Sequence, residues 1–372
     1  MKFSFSAEQE EFRSVIRRFL EAKSPTTAVR KVMEGDVGYD PDVWKSLAND
    51  LGLTALHIPE EYGGAGFGVT ELAIATEEMG RALLCAPFFA SAVMAATTIL
   101  QAGTDEQKAF YLPGLASGET IGTLAIAEPN GGWDGESLSM SATTYGDVYR
   151  LHGTKSYVLD GMNANLIVVA VRMANGHLGL FVVRDLEDGV TRTPLQSMDP
   201  TRRLARIDFD NTPAVLLGST EEGEEAYAKV FDTMVACLAA EMVGGAERLR
   251  EDALEYVTMR VQFGRSIASF QVTKHKAADM LLEVELAKSA AYAAATALDD
   301  GDADASAVVS LAKATAADTY MQTAVHAVQM HGGIGFTYDN DTQMWFKRAK
   351  ASEVFLGDAN WHRERMMQNW SA

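Results

Sequence analysis

Residues 234–271 read MVACLAAEMVGGAERLREDALEYVTMRVQFGRSIASFQ, and this stretch decides the fold. Met234, Leu238, Glu241, Gly245 and Leu249 recur at steps of three and four, so they share one stripe of a long α-helix turned towards the interior. Glu241 breaks the apolar rule of that stripe. Its neighbours at three and four residues are Cys237, Leu238, Gly244 and Gly245, and none of them carries a compensating cation. A buried carboxylate is disfavoured unless it is paired, protonated or put to use. The helix ends in Arg260, Phe263 and Gly264, with Phe270 and Gln271 opening the next one. Together these offer a guanidinium, a stacking face and amide bonds, a set suited to a diphosphate and an adenine.

Working outward from this helix, the first third of the chain is helical. Ser6 and Gln9 form a capping box ahead of Phe12, Val15, Ile16, Phe19 and Leu20. Residues 41–50 continue helically to Gly52, 56–68 form a Pro/Gly-broken loop, and Pro87 separates helical patterns over 69–83 and 88–103. Thr104 caps a short amphipathic helix that ends near Gly118. From 119 to 220 the texture changes to short β-branched or alternating runs bounded by Gly, Asn and Asp, too closely spaced for βαβ units. Helical periods then return over 270–298, 306–333 and 342–357, with an acidic loop at 299–306 and a final stretch at 358–370. The fold class expected is α+β: an N-terminal helical domain (1–118), a middle antiparallel β-barrel or sandwich domain (119–220) and a C-terminal four-helix bundle (221–372).

Composition narrows the function. With 51 acidic against 32 basic residues the net charge is −19, which disfavours nucleic acid and anionic membrane as partners. Cations are clustered all the same, at Arg202, Arg203 and Arg206 and at Arg260 and Arg265, so a small polyanion is still a suitable ligand. The longest apolar run, 88–100, is short of the roughly 20 residues that cross a bilayer. Cys85 and Cys237 lie in separate apolar patterns without metal-ligand spacing, and the start of the chain is already helix-cap chemistry, so a reducing, cytoplasmic setting is expected. Neither GxGxxG, GxxxxGK[ST] nor HExxH is present and the seven histidines are scattered, which argues against a metalloenzyme or a Rossmann dehydrogenase.

A second glycine-rich segment, QMHGGIGF at 329–336, allows backbone amides to approach a phosphate. At these residues the sequence resembles the acyl-CoA dehydrogenase family of flavoproteins. The resemblance extends over FSAEQEEFR (5–13), LGLTALHIPEEYGGAGFG (51–68), DEQKAFYLPGLASGE (105–119), AEPNGGWD (127–134) and LHGTKSYVLDG (151–161). It implies a helical–β–helical subunit that holds FAD between subunits and removes the α proton and β hydride of an acyl-CoA thioester, passing electrons to an electron-transfer flavoprotein. By the resemblance Arg260 grips the FAD pyrophosphate and Phe263 and Gln271 line the adenine end. Gln329, Gly332 and Gly333 approach from the neighbouring subunit, while Ala127 to Trp133 and Tyr157 to Leu159 face the isoalloxazine.

Departures from the family pattern direct attention back to Glu241. Ala127-Glu128-Pro129 stands where members often read Thr-Glu-Pro, Gly132-Trp133 where a hydroxyl follows Gly, and Tyr157-Val158-Leu159 where Trp-Ile-Thr is usual. The family's usual base sits in a Tyr-Glu-Gly-Thr motif that here reads Phe355-Leu356-Gly357-Asp358, and the other known position of the base aligns with Met234. Neither Leu356 nor Met234 accepts a proton. Glu241 is the leading candidate base, set against a carboxylate bonded to a distant Arg; Asp358 as a helix cap and Glu353 as an ion-pair partner are weaker candidates. Two functions are therefore expected: a homo-oligomeric acyl-CoA dehydrogenase of the kind used in lipid or sterol side-chain degradation, or a half-site subunit of a heterotetramer whose sister chain supplies the base. A DNA-associated relative of the same fold is disfavoured by the charge.

Overall fold

The computed structural model describes residues 5–145, 148–184, 186 and 188–370. In chain order, helices α1 (Ala7–Lys23), α2 (Thr26–Glu34), α3 (Pro41–Asn49), α4 (Val69–Arg81), α5 (Thr97–Ala102) and α6 (Asp105–Ala116) come first. Strands β1 (Gly122–Ala125), β2 (Ser141–Tyr145), β3 (Val148–Leu159), β4 (Leu166–Arg172), β5 (Leu178–Val183), β6 (Val190–Leu195) and β7 (Leu204–Leu216) follow. Then come α7 (Gly223–Met259), the short strands β8 (Val261–Gln262) and β9 (Arg265–Ser266), α8 (Gln271–Asp299), α9 (Ala305–His331), α10 (Thr342–Val354) and α11 (Ala359–Asn369). Both capping boxes are formed: the Ser6 and Thr104 hydroxyls accept from the amides of Gln9 and Gln107, whose side chains return to the cap amides. Among the described residues no helix is long and apolar enough to cross a membrane.

One expected helix is remodelled. Over 88–103 the chain is π-helical from Phe89 to Ala96 before α5 begins. Half of the run is alanine and all of it is buried. Ser91 Oγ accepts from Gly122 N at 3.1 Å, and a Cβ added at Gly122 would lie 2.5 Å from Ala95 Cβ, so the wound segment and β1 meet at backbone range.

The chain divides into two compact units, one comprising Met1–Lys31, Val69–Leu84 and Val235–Ala372, the other Val32–Gly68 and Cys85–Met234. In the first, α4, α7 and α8 meet on alanines, with Ala73, Ala240 and Ala295 forming one buried cluster. Glycine brings α4 and α7 closer still. A Cβ at Gly244 would fall 1.8 Å from the Glu77 carbonyl oxygen and one at Gly80 2.0 Å from that of Glu241. A buried ionic network crosses the same helices: Arg13 binds Glu77 (2.9 Å) and Glu78 (3.1 Å), Arg17 binds Glu78 (2.7 Å), and Lys288 binds Glu247 (3.1 Å).

In the second unit the strands form one seven-stranded sheet, ordered β1-β4-β5-β7-β3-β2 with β6 also on β7. All pairs are antiparallel except β1 with β4, which run parallel from Gly122↔Leu166 to Ala125↔Val169. Its core is made by the inward residues of these strands, including Leu151, Ile167, Val169, Phe181, Ile207 and Phe209. Two of the clustered arginines are held internally here, Arg203 by the Met33 carbonyl (3.0 Å) and Arg206 by Asp208 (2.7 Å).

Candidate functional site

In the helical unit, α7 ends at Met259 and the chain reverses through the two-residue turn Phe263-Gly264 between β8 and β9. Both turn residues have positive φ, +53° and +75°, the geometry of a tight hairpin. An aromatic residue in the left-handed region costs about 1–2 kcal/mol. The strain is not compensated by burial, because the Phe263 ring is 90% exposed and meets only the edge of Phe270 at 6.1 Å. Arg265 stacks over the other ring of this pair, 4.1 Å from the Phe270 centroid. Arg260 is exposed and none of the described residues takes up its guanidinium; Gln271 is exposed at the start of α8.

The segment 329–336 lies beside this hairpin in the same chain. Tyr256, one turn before Arg260, stacks on His331 at 4.4 Å, so the ends of α7 and α9 are neighbours. Gln329, Gly332 and Gly333 are exposed, and a Cβ on either glycine would meet nothing within 4 Å. Gln329, Gly332 and Gly333, expected to serve a cofactor from the neighbouring subunit, thus lie at the same end of this unit as Arg260, expected to grip one. A cation, an exposed ring and two glycines with open space beside them, all at one end of the unit, are groups that a dinucleotide with a diphosphate could use.

Glu241 faces α10. Arg348 Nη1 donates to its Oε1 at 2.8 Å, both residues being buried, and the contact is possible because Gly80 leaves room beside the Glu241 side chain. Trp345, one turn before Arg348, donates Nε1 to the Gly80 carbonyl at 3.3 Å. The sequence alone could not show this cation, which lies 107 residues away. Asp358 caps α11, accepting from Trp361 N at 2.8 Å, and Glu353 binds Lys350 at 2.5 Å.

The turn that carries Leu356 keeps an unusual shape. Leu356 and Gly357 have φ of +58° and +99°, and Leu356 is fully buried. Lys313, itself buried, donates to the carbonyls of Ser352 (3.2 Å), Glu353 (3.2 Å) and Gly357 (3.0 Å), and His362 Nε2 lies 2.9 Å from that of Leu356. The imidazole is pushed down to about 3 by burial and by the Lys313 charge, so it is neutral and donates here. A strained leucine held by two basic residues is a backbone geometry retained without a carboxylate to present.

In the sheet unit, Ala127 and Leu159 are buried, whereas Tyr157 stands out on a bulge of β3 with φ +57°. Ser156 N donates to the Ala127 carbonyl at 2.8 Å, tying the two segments together. The loop carrying Trp133 is fastened by Glu128, which accepts from Ser139 N (2.9 Å) and Met140 N (2.9 Å) and pairs with Lys155 at 2.9 Å. Burial raises the Glu128 carboxyl, but the Ser139 bonds and the Lys155 charge outweigh it and hold it below the usual carboxylate range. Burial pushes the Lys155 ammonium down to about 8. Sequence reasoning missed this pair, yet the signal was there: Lys155 shares the inward parity of Leu151 in an alternating strand, and an inward lysine needs a carboxylate.

The chain is similar to known proteins along nearly its whole length. Residues 6–119 match the family model for the acyl-CoA dehydrogenase N-terminal domain and residues 221–370 that for the C-terminal domain. The acyl-CoA dehydrogenase IpdE2 of Mycobacterium tuberculosis is 31% identical over 94% of this chain and 93% of its own. Among solved structures, the Tcur3481-Tcur3483 steroid ACAD is 28% identical with a TM-score of 0.88, covering 97% of each chain. The ChsE4-ChsE5 complex of M. tuberculosis is 25% identical over 99% of this chain and 98% of that one, with a TM-score of 0.90.

Proposed function

The chain belongs to the acyl-CoA dehydrogenase family of oxidoreductases, and from that premise we propose that it is the cofactor-clamping subunit of a two-chain FAD-dependent acyl-CoA dehydrogenase whose sister chain supplies the base. The observation that carries this reading is the Glu241–Arg348 pair: the buried carboxylate closest to the expected role is bonded to a guanidinium, and the two alternative positions hold Met234 and Leu356. The two-protein assemblies named for the ChsE4-ChsE5 and Tcur3481-Tcur3483 structures support it.

When bound, FAD supplies the acceptor for the substrate's β hydride. This chain's residues would do the holding. Arg260 would place charge against the diphosphate, Phe263 would offer its ring to the adenine, and the open space beside Gly332 and Gly333 would let a phosphate come close to the chain. Trp133 and Tyr157, on the fastened loop and the β3 bulge, would shield the flavin ring from water. An acyl-CoA is the substrate class and an electron-transfer flavoprotein the electron acceptor of this proposal. The steroid ACAD makes ring-bearing acyl groups the first to try beside linear ones.

A second reading keeps Glu241 as this chain's own base, favoured by its burial among apolar α7 neighbours, and requires Arg348 to release it. Expression alone and with a homologous sister chain separates the two. The proposal expects flavin and acyl-CoA-dependent bleaching only in the co-expressed complex, with Glu241→Gln leaving bleaching intact once the protein is folded. A yellow protein from the single chain that bleaches with acyl-CoA, and whose Glu241→Gln variant keeps flavin but no longer bleaches, would establish the second reading instead.

A further inference from the structure

We propose that the helical unit carries a second anion site, separate from residues 260–271 and 329–336, which takes a small phosphate or phosphomonoester. It is a cavity of about 260 Å³ walled by Arg17 of α1, Arg81 of α4 and Arg248 of α7, with Trp345 of α10, Thr26 at the start of α2 and Pro25 just before it completing it. Neither the family resemblance nor the flavin chemistry uses any of the three arginines.

Each guanidinium has five N–H donors, and the carboxylates around it use only some of them. Arg17 grips Glu78 through Nε (2.8 Å) and Nη2 (2.7 Å), leaving Nη1 out of the pair. Arg248 binds Asp252 through Nε at 2.9 Å, leaving both Nη groups out, and its guanidinium lies 5.9 Å from the Trp345 ring centre. Arg81 gives Nη2 to Glu251, while its Nη1 stops 3.7 Å from Glu247. That is too long for a hydrogen bond, and among the described residues this buried Nη1 has no hydrogen-bond partner. A buried donor left unsatisfied is costly, so an acceptor in the cavity would be favoured.

The opposing charges do not fill the need. Glu78 is already shared between Arg13 and Arg17, and the other acid in the wall, Glu21, is exposed at the rim. Three guanidiniums reaching from three helices, with a helix start beside them, suit a tetrahedral oxyanion better than a planar carboxylate, which one fork satisfies. The volume leaves space beside the anion for a small organic group. Because the arginines belong to α1, α4 and α7, an anion held by all three would brace those helices against one another.

Thermal unfolding of the full chain at constant ionic strength tests this, with inorganic phosphate and glycerol 3-phosphate as probes and chloride and acetate as controls. The expected result is a saturable rise in midpoint with the phosphates and none with the controls. Equal half-saturation by the two probes identifies free phosphate, and tighter binding of glycerol phosphate identifies a monoester. Arg248→Gln should abolish the saturable rise. Glu21→Gln, which removes a rim charge, should lower the half-saturating concentration about two- to fivefold. A rise that is unsaturable, matched by chloride, or unchanged in both variants would overturn the site. The Glu21→Gln arm decides the question even if Arg248→Gln does not fold.

Discussion

Arg348 joins α10 to α7 through a 2.8 Å contact of its Nη1 with Glu241 Oε1, and the two side chains are only 4% and 8% exposed. Removing either partner strands a buried charge, which typically costs about 3–5 kcal/mol, whereas an apolar pair of similar volume is often tolerated. Glu241→Gln and Arg348→Met are each expected to lower unfolding stability by that order, and Glu241→Leu combined with Arg348→Met to recover most of it. Urea unfolding of the singles and the double closes the cycle. A Glu241→Gln protein as stable as the parent would show that the pair contributes nothing.

Two glycines of the helical unit predict opposite behaviour. Gly244 has the Glu77 carbonyl 1.8 Å from where a Cβ would be, so Gly244→Ala must separate α4 from α7. It should cost about 3 kcal/mol or prevent folding, despite the roughly 1 kcal/mol that alanine gains in a helix. Gly333 has open space, so Gly333→Ala should leave the melting midpoint unchanged and lower the flavin content of the assembled protein. Equal stability of the two variants would refute the close helix approach.

Phe263 separates fold from ligand. Its ring is 90% exposed on a left-handed backbone, so Phe263→Ala should shift stability by less than about 0.5 kcal/mol. Flavin retention by the assembled protein should nonetheless fall about tenfold, the loss of roughly 1.4 kcal/mol of stacking and orientation. Retention at parental level, read from the visible spectrum after dialysis, would remove Phe263 from the cofactor surface.

Acid should unfold the chain in a particular window. His362 is fully buried and held at about 3, against 6.5 when solvated. Below pH 6.5 the unfolded chain binds a proton that the folded chain refuses, so the stability is intact above 6.5 and drains away as pH falls towards 3. His57, pushed down to about 4 by burial, adds in the same direction. Each group contributes a slope of at most about 1.4 kcal/mol per pH unit. His362→Asn should flatten the profile between pH 6 and 4 by up to one proton's worth; an unchanged slope there would mean that His362 titrates normally.

Much of the architecture is legible in the sequence because it rests on local signals. The capping boxes at Ser6 and Thr104, the helical stripe through Met234 and Leu249, and the alternation of the strands between 122 and 216 each announce their element within a few residues. Helix α2 is harder to see, since it has only nine residues and opens on Thr-Thr, with no side-chain cap to announce it. For the proposed cofactor surface, the sequence reading at Arg260, Phe263 and the glycines of 332–333 rests on local turn chemistry, and the structure finds these residues exposed. Buried charge is another matter. Glu241 stands out on its helix, but its meaning depends on Arg348, and a pairing across 107 residues is a property of packing that no local window contains.

The hairpin at 260–266 and the turn at 332–336 have a stoichiometric corollary. If these paired projections close over the flavin of an adjoining subunit, the number of flavins an assembly retains counts the subunits whose projections are intact, not the subunits that carry a base. Mixing parental chains with Phe263→Ala chains would then give flavin occupancy in proportion to the parental share, and the colour of the preparation would report its composition.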